Sequence, residues 1–140
     1  MSSLEALAIG IGAEHPGRER LALIDARRGE AFGALYDASG TVIWEPFVAS
    51  PEDLGRRLAE RPLGPLAAGD GSLRFRQELE AVNVEILPGT DPAHRIAARH
   101  LCAAARGAEP VPLADIVPTY LRRPDAEIWR EQQDRNRGTG

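Results

Sequence analysis

A chain of 140 residues, 43% hydrophobic and with a formal charge of −4, is the size of one globular domain. That length can bury roughly 68–70% of the unfolded surface without disulfide or metal staples. The acidic balance excludes a domain that holds nucleic acid by charge alone, because neutralising phosphates needs a surplus of basic side chains.

Cys102 is the only cysteine, so a disulfide framework and a multi-cysteine metal site are excluded. All 17 basic side chains are arginine, a coding bias to which no mechanism attaches. No apolar run approaches the ~20 residues of a bilayer-spanning helix. The opening stretch has no basic region and carries Glu5 among its apolar residues, unlike a signal peptide. A cytoplasmic location is expected.

Ser3 to Ile9 reads as a short helix with Leu4, Leu7 and Ala8 on one side, followed by a loop through Gly10, Gly12, Pro16 and Gly17. Leu21 to Ile24 is a continuous apolar run ending at Asp25, the pattern of a strand buried on both faces. Arg27-Arg28-Gly29-Glu30 is a turn, and Ala31 to Tyr36 a second strand. Ala38-Ser39-Gly40 is another turn before a third strand, Thr41 to Phe47. Links this short join antiparallel neighbours.

Ser50-Pro51-Glu52-Asp53 then starts a helix, with Ser as N-cap, Pro in the first turn and acids facing the helix dipole. Leu54 and Leu58 lie one turn apart on its apolar side, and Pro62 and Gly64 stop it. Leu66-Ala67-Ala68 is a short buried strand ending in Gly69-Asp70-Gly71, and a helix follows with Phe75, Leu79 and Val82 in step. Val84 to Leu87 is a strand, and Asp91-Pro92 is expected to cap a long helix from Ala93 to Ala105. Val117 to Leu121 reads as a last strand, confined by Pro118 to an edge or a strand start. Beyond it, a short helix around Ile128 and Trp129 and a disordered tail are expected.

Three antiparallel strands followed by helix, strand, helix, strand, helix is the βββαβαβα order. This is an α/β class, the ribonuclease H-like unit that also forms each lobe of actin-like ATPases: a mixed sheet flanked by helices.

Four segments then resemble one family. Ile24-Asp25-Ala26-Arg27-Arg28-Gly29-Glu30-Ala31-Phe32 resembles the "DARRGEVY" segment of the tRNA threonylcarbamoyladenosine biosynthesis protein TsaB. Ser2 to Ala8 looks like the helix before it, Gly69-Asp70-Gly71 with Phe75 like "GDG…Y", and Pro118-Thr119-Tyr120-Leu121-Arg122 like the closing "PxYLR". The resemblance covers residues 2–124 and assigns 1–124 to the second lobe, leaving 125–140 as a charged C-terminal helix and tail. It implies a first lobe before Met1, so that the chain is expected to be a fragment, a late-called start or a truncated gene product. It also implies a non-catalytic subunit that holds a TsaD-like catalytic paralogue and works with a TsaE-like ATPase. Together these transfer a threonylcarbamoyl group to tRNA, which this chain would meet only through the complex. No membrane partner is implied. A face left bare by the missing lobe, including the first helix, would favour a homodimer.

The candidate site lies in two turns. In actin-like ATPases the first hairpin approaches nucleotide phosphates. Here Asp25 and Gly29 fit that use, while Arg27 and Arg28 either contact phosphate or crowd it out. Asp25, Arg27, Arg28, Gly29 and Glu30 are candidate nucleotide or partner contacts, or simply a tight turn with a charged tip. Gly69, Asp70 and Gly71 form a second candidate, at the end of a strand where ligands gather. Equally, Asp70 caps the following helix and the glycines permit the turn. No resident cofactor or metal is expected, beyond weak ATP or ADP with Mg at a subunit interface. The alternative function is a nucleotide-binding ATPase or phosphotransferase lobe, or a non-functional fragment of either.

Two enzymatic readings come off weaker. A two-metal nuclease would use Asp25 and Asp70, but the segment from Ala93 to Ala105 supplies no third acid. A protease has no arguable pair: His94 and His100 stand about 240° apart on a helix, and Cys102 sits among alanines as a small buried residue. His100 reads instead as a core-edge histidine near Ile96 and Ala104. Tyr120 and Arg122 are explained equally by function or by an edge strand, and Trp129 by a partner anchor or by packing on the domain.

Overall fold

The computed structural model describes residues 2–118 and 120–122. The chain divides into two compact units, Met1–Pro110 and Val111–Gly140.

In the first unit the element order is α1 (Ser3–Glu14), β1 (Arg20–Asp25), β2 (Ala31–Tyr36), β3 (Val42–Ala49), α2 (Pro51–Ala59), β4 (Leu66–Ala68), α3 (Asp70–Arg74), α4 (Arg76–Glu80), β5 (Glu85–Ile86), a 3-10 turn (Pro92–His94) and α5 (Ala98–Ala105). The strands form one five-stranded sheet in the order β3-β2-β1-β4-β5. The hairpin pairs are antiparallel, whereas β1–β4 and β4–β5 are parallel. The short loops on either side of β2 impose the first arrangement, and the helical crossovers α2 and α3–α4 impose the second. This is the expected mixed α/β sheet of the ribonuclease H-like kind.

Pleat alternation sorts the core into two layers. Leu21, Leu23 and Leu35 face Leu54, Leu58, Phe75 and Leu79, with Trp44 and Phe47 packed against them. On the other side Ile11 joins Leu66, Ala68, Leu87 and Ala93. At the rim, the guanidinium of Arg57 lies 4.2 Å from the Trp44 ring centroid and 4.8 Å from that of Phe47. One edge of the sheet, β3, carries Pro46 within a register shift against β2, a combination that blunts strand-to-strand addition.

Five expectations need correction. The first helix does not stop at Ile9 but runs to Glu14, through Gly10 and Gly12. Ser2 and Glu5 start it with reciprocal side-chain-to-amide bonds. Packing then outweighs the helix penalty of glycine, about 1 kcal/mol. At Gly12 a Cβ would overlap the Arg20 guanidinium, so only glycine lets that side chain lie on the helix. Nor is the apolar side of α1 left bare: Leu4, Ala6, Leu7, Ala8 and Ile11 are buried, and α1 packs on β1, β2 and β4.

The long helix from Ala93 to Ala105 is instead a 3-10 turn and a separate α5, with Arg95, Ile96 and Ala97 extended or irregular between them. Cys102 is exposed rather than buried, because α5 turns His100 inward. His100 is indeed a core-edge residue, seated against Gly10. In the second unit a 3-10 turn covers Leu113–Asp115, and the described residues of the expected strand at 117–121 form no strand. Thr119, Ile128, Trp129 and the tail 125–140 lie outside the described residues.

Candidate functional site

The two turns singled out in the sequence meet at one end of the sheet. β1 ends at Asp25, and the chain reverses through Ala26–Glu30 into β2. Ala26 N–H donates to Glu30 O at 3.0 Å and Glu30 N–H to Arg27 O at 3.1 Å. The reversal needs three successive left-handed residues, Arg27 (φ 63°), Arg28 (φ 54°) and Gly29 (φ 78°). Two of these carry side chains, at a cost of about 1–2 kcal/mol each. Asp25 offsets part of it by accepting the Arg27 amide on Oδ1 at 2.8 Å.

Next to it, β4 ends at Ala68 and Gly69 turns the chain into α3. Gly69 has φ 107°, and a Cβ there would overlap the Leu23 carbonyl oxygen, so no other residue fits. Gly71 lies against the backbone of Leu23 and Ile24, bringing α3 tight onto β1. This closeness carries Asp70 to the hairpin: the Asp25 amide donates to Asp70 Oδ1 at 2.9 Å. The expected role of Asp70 as cap of its own helix is therefore corrected. Gly69 occupies the cap position with no side-chain bond, and Asp70 reaches back to β1 instead.

Arg74 completes the cluster, donating to Asp25 Oδ2 at 2.7 Å. The Asp25 side chain is only 13% exposed, and Arg27 lies within 3.9 Å of the same oxygen. The Arg27 amide, followed by the Arg74 guanidinium, holds the Asp25 carboxyl below its ordinary value and outweighs burial. Both oxygens of Asp25 are thus committed, and one of Asp70 is. No group of three or more His, Cys, Asp or Glu side chains placed to hold a metal ion occurs among the described residues. What the cluster offers is a neutralised carboxylate below an exposed tip bearing Arg27 and Arg28.

Of the sequence candidates, Asp25, Arg27, Gly29, Glu30, Gly69, Asp70 and Gly71 are brought together in the two turns, with Arg28 at the exposed tip. Arg74 was missed. Its signal was its position one helical turn after Asp70, on the helix that Gly71 presses against β1. His94, considered only as a metal ligand or protease base, lies at the same end of β4. Its Nδ1 is 3.1 Å from the Gly69 amide nitrogen.

No family model matches the sequence, and no curated protein matches it. Two solved structures do. One is described as an uncharacterized protein with similarity to peptidase YEAZ from Pseudomonas aeruginosa: 26% identity, TM-score 0.60, covering 87% of this chain and 57% of that one. The other is YeaZ from Pseudomonas aeruginosa, at 25% identity and TM-score 0.60, covering 86% of this chain and 57% of that one. YeaZ is a TsaB protein.

The fold is TsaB-like.

The chain spans a little over half the length of these two TsaB-like structures. The word peptidase belongs to the description of the first. Here Cys102 is exposed on α5 and His94 faces Gly69 and Leu87, so these two do not form a nucleophile–base pair. No helix among the described residues is long and apolar enough to cross a membrane.

Proposed function

We propose that this chain acts as the second lobe of a TsaB-like protein, a non-catalytic subunit that supports a TsaD-like catalytic paralogue in tRNA threonylcarbamoyladenosine synthesis. In this reading a TsaE-like ATPase completes the machinery, tRNA is met only through the complex, and the work is done in the cytoplasm. The observation that carries it is the structural likeness to YeaZ over 86% of the chain at 25% identity. Two further features support it. The candidate site spends its carboxylates on its own hairpin rather than presenting them to a substrate. The net charge of −4 makes the chain a poor binder of RNA by itself.

The test is size-exclusion chromatography with light scattering, on this chain alone and mixed with the TsaD-like protein of the same organism. Co-elution as a complex of defined mass is the expected result. Separate elution at concentrations up to tens of micromolar overturns the proposal for this chain as it stands. The same run reads the homodimer. Among the described residues of the first unit, the large apolar side chains left exposed are Val42, Ile43, Leu63 and Ile96.

A further inference from the structure

The parallel ladder between β4 and β5 ends in an unusual rung. Glu85 N–H donates to Pro65 O at 3.2 Å and Leu87 N–H donates to Ala67 O at 3.3 Å. The alternation of a parallel pair makes Gly69 N–H to Leu87 O the next bond. The imidazole of His94 stands in that place. The Gly69 amide nitrogen is 3.1 Å from Nδ1, and Nε2 is 3.1 Å from the Leu87 carbonyl oxygen. A neutral ring with its proton on Nε2 satisfies both neighbours: Gly69 N–H donates to Nδ1, and Nε2–H donates to Leu87 O. The opposite tautomer sets a lone pair against Leu87 O and a proton against Gly69 N–H. Nδ1 also lies 3.3 Å from Gly69 O, but that oxygen already accepts the Ser72 hydroxyl at 2.7 Å and the Ser72 amide at 3.1 Å.

We infer that His94 is a positioning residue for the candidate site, a side-chain rung that ties the Gly69–Gly71 turn to β5 and unties it on taking a second proton. A proton on Nδ1 removes the only acceptor the imidazole offers to Gly69. The consequence runs along named bonds. Gly69 leads into α3, Asp70 at the start of α3 holds the Asp25 amide, and Arg74 at its end holds the Asp25 carboxylate. Hairpin geometry at Arg27 therefore depends on a ring two strands away.

Charged groups lie on the elements around the ring. Asp91 opens the same 3-10 turn; its carboxylate accepts the Ala93 amide at 2.8 Å and lies 3.0 Å from His15 Nε2 at the end of α1. Arg76 on α4 donates to Leu87 O at 2.8 Å, with Glu80 2.8 Å from its other side. Asp70 rides on the turn itself, Arg95 follows His94 in sequence, and Arg99 of α5 is held by Glu14.

The inference stands apart from the TsaB-like role, because its test needs no partner. Nitrogen NMR of the full chain, with histidine-selective and amide labelling, is followed from pH 8 to pH 5. The expected result at pH 8 is a protonated Nε2, an acceptor Nδ1, and a coupling across the hydrogen bond between Gly69 nitrogen and Nδ1. As His94 titrates, that coupling disappears, and the amides of Gly69, Asp70 and Asp25 shift with the midpoint of His94. In His94→Gln this shared midpoint is gone while the amides of Leu35 and Leu54 keep their positions. In His15→Asn it remains. A proton on Nδ1 at pH 8, or Gly69 and Asp25 midpoints that differ from that of His94, overturns the inference. The wild-type titration decides the matter even where His94→Gln fails to fold.

Discussion

Asp70 and Asp25 lie 45 positions apart and are joined by one hydrogen bond, from the Asp25 amide to Asp70 Oδ1 at 2.9 Å. It connects the end of the first strand to the first turn of the helix after the fourth, so it ties the antiparallel half of the sheet to the parallel half. The acceptor is a carboxylate, which makes the bond stronger than a neutral one, but Asp70 is exposed and water competes for it. Asp70→Ala is expected to lose about 1 kcal/mol of stability, and Asp70→Asn, which keeps an acceptor oxygen, less than half of that. Urea unfolding of the three proteins measures the difference. Equal losses for Ala and Asn would remove the hydrogen bond as the cause.

Asp25 gives the site a dependence on acid. Its carboxyl is held below its ordinary value of 3.8, by the Arg27 amide first and the Arg74 guanidinium next. A carboxyl whose folded value is depressed adds stability that is present above the unfolded value and is lost as pH falls through the folded one. The stability difference between wild type and Asp25→Asn is therefore expected to be largest at neutral pH and to shrink below about pH 4. Urea midpoints at pH 7, 5, 4 and 3 read this directly. A difference that stays constant to pH 3 would show that the amide substitution acts through packing instead.

Gly69 is held both by its backbone conformation and by the strand beside it. Its φ of 107° costs a side-chain-bearing residue about 1–3 kcal/mol, and the Leu23 carbonyl occupies the space a Cβ would need. The obstacle is backbone of the central strand, which cannot rotate aside as a side chain can. Gly69→Ala is expected to lower stability by more than the φ penalty alone, and Gly29→Ala, with open space around its Cβ, by no more than that penalty. Chemical denaturation of the two variants side by side checks the ranking.

Most of the sheet was legible because short hairpin links and strong helix starts are local signals. Ser50-Pro51 starts α2 where expected, with Ser50 Oγ accepting the Asp53 amide at 3.2 Å. The errors came where distant groups decide. Gly10 and Gly12 read as helix breakers, yet His100 packs against Gly10 and the Arg20 guanidinium occupies the space that the missing side chain of Gly12 leaves. Asp91-Pro92 read as the cap of a long helix, and Asp91 does accept the Ala93 amide. The helix ends after one 3-10 turn because His94 turns in to the Gly69 amide and the Leu87 carbonyl, and Arg95 continues in an extended conformation. The site was legible as two turns but not as one cluster, since nothing local in Gly69-Asp70-Gly71 states that its carboxylate closes on Asp25.

Nucleotide binding separates the two functional readings. A nucleotide-binding lobe would need this end of the sheet to take phosphates, with a divalent metal beside a free carboxylate. Asp25 instead is spent on Arg27 and Arg74, and Arg27 and Arg28 carry bulky side chains where backbone amides would have to approach phosphate. No stabilisation by Mg-ATP or Mg-ADP is expected for wild type at millimolar ligand. Binding would add about 2.7 kcal/mol at one hundred times the dissociation constant, well within reach of a thermal-shift measurement. Arg74→Ala sharpens the test, because it frees Asp25 Oδ2 without touching the hairpin backbone. If Mg-nucleotide stabilises wild type as strongly as it would a lobe built for it, the site is a phosphate site and the accessory reading loses its support from the geometry. If neither protein responds, the commitment of Asp25 to its own hairpin is a feature of how this lobe holds its shape.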